Sequence, residues 1–388
     1  MSENSYTVTS STGWFGRIGG AIKGVLFGLV MIVISFPVLF LNEGRAVKTR
    51  KTLDEGAKGV VAVSAETVDA KNDGKLVYLT GDAVVDGFLT DPDFQVTAEA
   101  VSLKRKVEMF QWEEKSQTET KKKLGGGEET VTHYTYQKIW SDKAIDSSDF
   151  NKKQGYANPK MVLEAEEWSA EPVMLGAFKL STGLVGQIDN YTELPTSDAV
   201  EEREELAGKK LHKEPSYYYL GEKPSSPVVG DLRVTHEVAL PGAVSVIARQ
   251  TAGSFEPFVA KAGGTIEMLE TGTVSADAMF TAAHQANKFM TWILRLVGFI
   301  LMLVGFSLLF RPLSVLADVV PFIGNIVGAG TGFVAFLLSL PLSLLVISVA
   351  WIFYRPLIGI PLVIAAIAGF VFLIRTLMAQ KKKRAAMA

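Results

Sequence analysis

Residues 24–42 read GVLFGLVMIVISFPVLFLN and contain no charged side chain. About 20 apolar residues in a helix cross the hydrocarbon core of a bilayer, which is about 30 Å thick. Three further charge-free stretches follow near the other end of the chain, at 296–310, 319–354 and 356–374. The segment between the first stretch and the other three is long and mostly polar. This pattern predicts a multi-pass α-helical membrane protein, with one membrane helix before and three after a large extramembrane domain.

The composition narrows the classes of function. The 388 residues include 39 basic and 41 acidic side chains, which gives a formal net charge of −2. Nucleic-acid-binding domains usually have a strongly basic face, so we expect no nucleic-acid partner. The chain contains no cysteine, which excludes disulfides, zinc thiolates and a thiol nucleophile.

The charge-free stretches set the predicted helix boundaries. The first stretch is longer than the apolar core of a signal peptide, so we interpret it as an uncleaved anchor. A continuous helix over 319–354 would extend about 54 Å at 1.5 Å per residue, which is too long for one crossing. Pro321, Gly324 and Gly330 interrupt the first part of that stretch. We therefore predict four transmembrane helices at 18–42, 289–310, 328–354 and 355–377, with an interfacial or re-entrant segment at 311–327.

Basic residues near the helix ends predict the orientation. The C-terminal tail at 378–388 is rich in lysine and adjoins the last helix, so the positive-inside rule places it in the cytoplasm. Four crossings put the N-terminal tail, 1–17, on the same side, and we expect that tail to be disordered. The domain at 43–288 then lies outside, although the basic residues just after the first helix favour the opposite orientation. The residues predicted at the membrane interface are Trp14, Lys23, Arg45, Lys48, Trp292, Arg295 and Arg355.

The extramembrane domain is predicted to be α+β and rich in β-hairpins. Alternating polar and apolar residues at 104–118 and 129–140 predict a long hairpin with a mobile basic tip at 121–127. A second hairpin is predicted on either side of Pro241. We also predict two helices, at 198–213 and at 276–288.

Glycines recur every four residues on two of the predicted membrane helices. Small residues at this spacing let a neighbouring helix backbone approach closely. Two interpretations stay open: the glycines pack helices within one bundle, or they mediate self-association of the chain. The candidate packing residues are Gly20, Gly24 and Gly28 near the first helix, and Gly324, Gly328 and Gly332 near the third.

The sequence contains no recognisable catalytic constellation. We find no zinc-binding HExxH pattern, nucleophile elbow, phosphate-binding loop or dinucleotide fingerprint, so we expect no enzyme, no cofactor and no metal. No charge lies deep in any predicted span, which disfavours transport. Asp318 is the nearest candidate for an intramembrane charge, and we expect a solvated or helix-capping role for it. Glu108, Glu113 and Glu114 beside Trp112 are expected to lie on a solvated hairpin face.

Several segments, taken together, resemble one known family. After the first helix the chain reads LNEGRAVKT at 41–49, and FYRPL at 353–357 lies between the last two spans. Between them lie KRKVEMFQWEE at 104–114, STGLVGQIDNY at 181–191, VGDLRV at 229–234 and VSVIARQ at 244–250. These segments are similar, in the same order, to the transmembrane protein 43 (LUMA) family.

The resemblance implies a four-pass protein with a large lumenal domain and both termini in the cytoplasm or nucleoplasm. Animal members lie in the endoplasmic reticulum and inner nuclear membrane, where they self-associate and contact lamins, and the family provides no catalytic residues to carry over. The glycine-rich tip at 125–127 departs from the animal pattern. We therefore expect a bacterial member, in which case the location is the inner membrane, the domain is periplasmic and lamin partners do not apply. If the chain is eukaryotic, we expect the endoplasmic reticulum or the inner nuclear membrane.

Three hypotheses of function follow. The first is a non-enzymatic membrane scaffold that forms a homo-oligomer and organises other membrane or envelope proteins. The second is a lipid- or ligand-binding module, in which 312–327 forms a groove and Arg45, Lys48, Arg50 and Lys51 meet lipid headgroups. The third is a membrane-tethered hydrolase hidden in the outer domain, for which a carboxylate or histidine with a shifted pKa in an open pocket is required.

Overall fold

The computed structural model describes residues 5–196, 205–361 and 364. Within these residues three helices are long and apolar enough to cross a membrane, and a large β-rich domain lies between the first and the second of them. Four α-helices are numbered along the described chain: α1 (Trp14–Gly59), the single-turn α2 (Thr182–Val185), α3 (Ala276–Ala317) and α4 (Pro321–Tyr354).

The long helices extend beyond the predicted spans. Helix α1 continues past 42 because Ala46, Val47 and Leu53 are buried along its second half. Helix α3 joins the helix predicted at 276–288 to the span predicted at 289–310 and continues through Pro312. A proline inside a helix removes one backbone hydrogen bond, which membrane helices tolerate when their neighbours satisfy the freed groups.

The segment predicted as a separate element at 311–327 is divided between two helices. Helix α3 ends at Ala317, and α4 begins at Pro321 with the proline in its first turn, a position where the missing N–H costs no helical hydrogen bond. The segment therefore consists of two helix ends joined by a three-residue turn, and its interfacial or re-entrant location stays a prediction.

The fourth predicted span and the C-terminal tail lie largely outside the described residues, and the N-terminal tail is described from residue 5. Residues 356–361 and 364 are helical, which is the start of the span predicted at 355–377; the rest of that span and the tail at 378–388 are not described. In the N-terminal tail, predicted to be disordered over 1–17, residues 5–12 form a strand and α1 starts at Trp14. The alternating polar and β-branched residues of SYTVTSST explain that strand.

The first sheet of the β-rich domain contains nine strands in the order β1-β7-β6-β15-β14-β13-β12, with β11 paired to β15 and β8 paired to β6. Its hydrophobic core includes Phe94, Leu103 and Tyr218. The strands are numbered along the described chain, and those of this sheet are β1 (Ser5–Thr12), β6 (Ser102–Lys122), β7 (Glu128–Ser141), β8 (Glu166–Ser169), β11 (Tyr191–Leu194), β12 (Glu205–Leu206), β13 (Lys209–Lys213), β14 (Tyr218–Leu220) and β15 (Leu232–Ala239).

The second sheet contains seven strands in the order β2-β3-β9-β10-β17-β16-β20, and β3 also pairs with β16. This extra pairing closes five of the strands into a ring around a core that contains Val77, Phe178 and Phe255. Its strands are β2 (Val61–Ala62), β3 (Leu76–Val85), β9 (Val173–Leu175), β10 (Phe178–Lys179), β16 (Gly242–Thr251), β17 (Ser254–Glu256) and β20 (Met268–Thr271). Two small hairpins complete the domain, formed by β4 (Leu89–Asp91) with β5 (Val96–Ala98) and by β18 (Phe258–Val259) with β19 (Thr265–Ile266).

Two features of the domain differ from the predicted α+β fold. The helix predicted at 198–213 is, in its described part, the antiparallel pair β12 and β13, because Leu211 pairs with Leu220 and extends the first sheet. The hairpin predicted across Pro241 is not formed. Strand β15 pairs within the first sheet and β16 within the second, so the chain changes sheets at Pro241. The long hairpin predicted at 104–140 is confirmed as β6 and β7.

The chain forms two compact units. The β-rich unit draws its described residues from 5–10, 52–119 and 130–282. The helical unit draws them from 11–51, 120–129 and 283–364, so it includes the tip of the long hairpin together with the membrane helices.

Candidate functional site

A buried carboxylate joins the three long helices of the helical unit. Glu43 follows the first apolar stretch on α1 and is fully buried. Its Oε1 accepts a hydrogen bond of 2.6 Å from Nε of Arg295 on α3, and its Oε2 accepts one of 2.8 Å from Nε1 of Trp351 on α4. A buried charge is stable only when it is paired and hydrogen-bonded. One side chain therefore fixes α1 against both of its neighbours.

Amides and a guanidinium surround this carboxylate and tie α1 to α3. Arg45 donates hydrogen bonds of 3.1 Å to the Asn287 and Asn42 side-chain oxygens and to the Thr291 hydroxyl. Asn42 donates to the backbone carbonyl of Thr291, and Asn287 donates to that of Ala46. These residues, with Glu43, Arg295 and Trp351, are called the Glu43 centre below. Arg45, predicted to lie at the membrane interface, binds the neighbouring helix, and its depth in a bilayer stays a prediction.

A second buried carboxylate lies in the turn between α3 and α4. Asp318 is almost fully buried; its Oδ2 binds Nη2 of Arg17 at 2.5 Å and its Oδ1 binds Nζ of Lys122 at 2.7 Å. Arg17 also contacts Glu128 at 2.9 Å. Asp318, Arg17, Lys122 and Glu128 are called the Asp318 centre below. The solvated or capping role predicted for Asp318 is wrong, because two cations from distant segments enclose it.

The glycine-rich hairpin tip, predicted to be mobile, is held against the helices. The N–H of Gly125 donates to the carbonyl of Val319 at 3.0 Å, and Arg17 donates to the carbonyl of Gly126 at 2.6 Å. The Trp14 ring packs against Gly126, whose φ of 80° favours glycine, and its Nε1 donates to the carbonyl of Val315. The tip therefore forms part of the helical unit, although Lys121, Lys123 and Leu124 remain exposed.

The two centres lie at opposite ends of the membrane helices. Along α1, Arg17 and Glu43 are about 39 Å apart at 1.5 Å per residue, which exceeds the bilayer core of about 30 Å. The hairpin tip at 120–129 shares the end that holds Arg17. The sequence analysis predicted Arg17 in the cytoplasmic tail and all of 43–288 outside. The contact between Arg17 and the hairpin tip agrees with both predictions only if the hairpin crosses the bilayer.

Of the predicted packing glycines on α1, Gly28 makes the closest approach. A Cβ at Gly28 would lie 2.6 Å from the carbonyl oxygen of Gly305, so the backbones of α1 and α3 touch there. Gly24 has more space, with a Leu308 methyl 3.7 Å from its Cβ position. Among the described residues, nothing lies within 4 Å of the Cβ position of Gly20.

The glycines of α4 are divided in the same way. The Cβ position of Gly324 overlaps the Asp318 carboxylate, and that of Gly328 lies 3.0 Å from the Ser314 hydroxyl, so both support the turn between α3 and α4. Gly332 has no described atom within 4 Å of its Cβ position. Among the described residues, four of the six predicted positions pack within the chain, and no atom lies within 4 Å of the Cβ positions of Gly20 and Gly332.

The remaining residues predicted at the membrane interface have different surroundings. Lys23 and Lys48 are exposed. Trp292 is 67% exposed, and the Arg295 guanidinium lies 4.7 Å from its ring. Arg355 lies 5.7 Å from the ring of Trp351. Their depth in a bilayer stays a prediction, but Arg295 does not simply extend to lipid headgroups, because Glu43 binds it.

The β-rich unit contains a buried carboxylate–histidine pair of its own. His236 Nε2 and Asp91 Oδ2 are 2.8 Å apart, and Arg105 Nη1 binds Asp91 Oδ1 at 2.9 Å. Burial opposes ionisation of Asp91, but the hydrogen bond with His236 and the charge of Arg105 outweigh it and lower the pKa of this carboxyl. All three side chains are almost fully buried, so no substrate can reach them. We assign this group a structural role.

The open cleft of the same unit also has paired charges. It has a volume of about 580 Å³ and is bordered by Lys106 with Glu237 and by Glu108 with Arg233, two ion pairs across neighbouring strands. Nearby, Glu114 accepts a hydrogen bond from Tyr136; burial and this bond raise the pKa of Tyr136 to about 12. Glu114 is therefore held by its neighbours rather than lying free on a solvated face.

Metal binding finds no support in the described part of the chain. Across residues 5–196, 205–361 and 364, no group of three or more histidine, aspartate or glutamate side chains is close enough to hold an ion.

One signal in the sequence could have revealed the Glu43 centre. Arg295 lies inside the predicted span at 289–310, and a cation inside an apolar helix requires an anionic partner. Glu43 directly follows the first predicted span, and it is therefore an acidic residue close to the membrane at the end where the second span begins. The prediction that Arg295 extends to the headgroups provided no role for Glu43 as its partner.

These features define an integral membrane protein in which buried ion pairs lock long apolar helices together and a β-rich domain lies between them in the chain. The chain belongs to the transmembrane protein 43 family: the family model of that description matches residues 109–356. Transmembrane protein 43 of Homo sapiens is 34% identical over 361 residues, covering 90% of this chain and 89% of the human protein. The Drosophila melanogaster homologue is 31% identical over 364 residues, covering 91% of this chain and 94% of that protein. No solved structure matches.

Proposed function

We propose that this protein is a non-enzymatic membrane scaffold with four membrane crossings, whose extramembrane domain organises other membrane or envelope proteins. The observation that carries the proposal is the pair of buried charge centres at the two ends of the same helices. Each centre joins segments that are far apart in the sequence, so together they hold the helices as a rigid support. A scaffold requires such a support, whereas a transporter requires charges that can change partners.

Self-association is part of this proposal. Four of the six candidate glycines pack within the described part of the chain, and the faces around Gly20 and Gly332, which contact no described residue, are proposed to contact a second copy. Small residues on lipid-facing helix surfaces favour close helix pairing. Substituting Gly20→Leu adds bulk to open space, so it should reduce oligomer formation while leaving the folded monomer intact.

The experiment is chemical crosslinking in native membranes, followed by light scattering of the purified protein in mild detergent. Gly20→Leu and Gly332→Leu should lower the oligomer fraction several-fold. Gly19→Leu is the matched control, since it adds the same bulk to the same helix about 100° away. A wild-type protein that is monomeric in both measurements, or a Gly19→Leu variant with the same loss, contradicts self-association through this face.

The topology can be tested with single cysteines, because the natural chain has none. In the proposed orientation, Lys48→Cys reacts with a membrane-impermeant maleimide from outside and Ser11→Cys does not. In this orientation the hairpin formed by β6 and β7 can reach Arg17 only by crossing the bilayer, so Leu124→Cys at its tip should be protected along with Ser11→Cys. Labelling of Leu124→Cys from outside, together with Lys48→Cys, would show that the tip leaves the Asp318 centre in the membrane.

The compartment follows from the source of the chain. In a bacterial cell the proposed location is the inner membrane with a periplasmic domain; in a eukaryotic cell it is the endoplasmic reticulum or inner nuclear membrane. Fractionation of the native host with detection of the intact protein decides between these locations.

A lipid-binding membrane module is the second candidate. The groove predicted at 312–327 does not support it, because those residues form helix ends and a turn, and Arg45 is bound to α3. A different observation favours it: a pocket lined by basic side chains at the Glu43 end of the helices. A hydrolase has no comparable support, since the buried Asp91 and His236 are closed to substrate.

A further inference from the structure

We propose that a cationic pocket between α1 and α3 binds the phosphate of an anionic lipid headgroup. This inference deepens the second candidate function and does not depend on the scaffold. The pocket has a volume of about 290 Å³, close to the lower end of the usual range for ligand pockets, about 300–1,000 Å³. Its charged and aromatic lining residues are Arg50, His284, Lys288, Trp292, Arg295 and Arg355.

The pocket contains more positive charge than the protein neutralises. Its lining includes four lysine and arginine side chains and no aspartate or glutamate. Arg295 is paired with Glu43. Within the described ranges 5–196, 205–361 and 364, the side chains of Arg50, Lys288 and Arg355 have no ion pair or hydrogen bond with a protein group, and Nε of Arg355 is buried without a partner. Arg50 and Lys288 are exposed, whereas Arg355 is half-buried. Cations held together without an acidic side chain in the pocket lining favour an anion, and guanidinium groups match phosphate geometry.

The pattern of residues along α3 points to a lipid rather than a soluble anion. Lys288, Trp292 and Leu296 follow one another at four-residue intervals, so they lie on one face of the helix. That face passes from a cation, through an exposed tryptophan, to exposed apolar side chains that continue at Ile300. Tryptophan is enriched where membrane meets water. A phospholipid presents the same order of chemistry, from phosphate to acyl chain.

The proposed site also gives a reason for basic residues on the outer side. In the proposed orientation, Arg50 and Lys288 lie where the positive-inside rule disfavours cations. An anionic headgroup bound between them supplies the missing counter-charge. These two residues therefore stabilise the protein–lipid complex, although their charge does not favour the proposed orientation.

The test measures lipid retention by the full-length protein in mild detergent, using native mass spectrometry. The probes are phosphatidylglycerol, phosphatidylcholine and inorganic phosphate. The pocket variant combines Arg50→Gln, Lys288→Gln and Arg355→Gln, and leaves Arg295 in place because it belongs to the Glu43 centre. The control variant combines Lys48→Gln, Lys51→Gln and Lys58→Gln, which removes the same charge from exposed positions of α1 outside the pocket.

We expect the wild type to retain phosphatidylglycerol in preference to phosphatidylcholine. The pocket variant should retain it roughly tenfold less, since each cation near an anionic headgroup contributes to binding. The control variant should stay within about twofold of wild type. The control variant should keep the wild-type melting temperature, because none of its three side chains forms an ion pair among the described residues. The pocket variant should lose only the stability that comes from the contact of Arg355 with the Trp351 ring, so its melting temperature should fall slightly.

Four results would overturn the inference. Equal losses in both variants would show general surface attraction rather than a pocket. Displacement of the lipid by millimolar inorganic phosphate would assign the pocket to a soluble anion. If the pocket variant retained phosphatidylglycerol as well as wild type, the protein would still be a lipid-binding module, but this pocket would not be its site. If wild type retained no lipid, both the lipid-binding module and this pocket would be contradicted.

Discussion

Glu43 on α1 and Arg295 on α3 are joined by a hydrogen bond of 2.6 Å, although 252 positions separate them in the sequence. The carboxylate is fully buried, and its second oxygen binds Trp351 on α4. Removing one member of a buried ion pair leaves the other charged and unpaired, which costs more than the pair contributes as a whole. This relationship makes the end of the first apolar stretch a structural junction.

The first prediction concerns this pair. Glu43→Gln and Arg295→Gln should each lower the free energy of unfolding by about 3–5 kcal/mol. The double variant should be less destabilised than the sum of the two, because neither charge is then left alone. Thermal unfolding in mild detergent measures the effect, with Lys23→Gln as an exposed control on the same helix. Additive losses would show that the two side chains act independently.

The second prediction concerns the hairpin tip. Asp318→Asn weakens the attachment of Lys122 and Arg17, so the bonds after Lys121, Lys122 and Lys123 should become more accessible to trypsin, by about tenfold in cleavage rate. Limited proteolysis followed by mass spectrometry measures the rate. Glu129→Gln is the matched control, because its partner Lys123 is exposed and the pair contributes little. Equal cleavage of wild type and Asp318→Asn would contradict a tip held by the Asp318 centre.

The third prediction separates the two kinds of glycine on α1. Gly28→Ala places a methyl group against the carbonyl of Gly305 and should destabilise the protein by about 1–3 kcal/mol. Gly20→Ala meets open space and should be neutral or stabilising by up to about 1 kcal/mol, since alanine favours the helix. Unfolding temperatures of the two variants test the contrast, and a similar loss in both would contradict the distinction.

The fourth prediction concerns acid stability of the β-rich unit. Because the pKa of Asp91 is lowered in the folded protein, its ionised form stabilises the fold above the unfolded pKa of about 3.9, and this contribution is lost as the pH falls through the folded value. Tryptophan fluorescence during urea unfolding should show constant stability from this group above about pH 5 and a decline below about pH 4.

The variant Asp91→Asn provides the check on that decline. It should be less stable at pH 7 by about 3 kcal/mol, because Arg105 and His236 lose a buried anionic partner. Its stability should also depend less on pH below about pH 4. An acid decline of unchanged size in Asp91→Asn would assign it to other carboxylates.

Local pattern was sufficient to predict several elements. Continuous runs of apolar side chains predicted the membrane spans that lie in α1, α3 and α4. Such a run is a property of neighbouring residues, so it can be identified without knowing which distant segments pack against it. Alternation of polar and apolar residues predicted β6 and β7 in the same way. The family resemblance, carried by short motifs in order, was confirmed over most of the chain.

Pairing between distant segments was not predictable from those patterns. Strands β15 and β16 read as one hairpin across Pro241, yet each finds its partners in a different sheet. The charged segment at 198–213 has acidic residues first and basic residues last, as is typical of a helix. Its described part instead forms strands at the edge of the first sheet, where the partial burial of Leu211 outweighs helix propensity. Such choices depend on surfaces that the rest of the fold supplies.

The sequence by itself determined that this chain is a membrane protein with a β-hairpin-bearing domain between apolar helices, because hydropathy and alternation are properties of neighbouring residues. Only the tertiary structure decided which charges are buried and paired. The ion pair of Glu43 with Arg295 and that of Asp318 with Arg17 each join residues that are far apart in the sequence. A buried charge becomes stable only once the fold brings its counter-charge within hydrogen-bond distance.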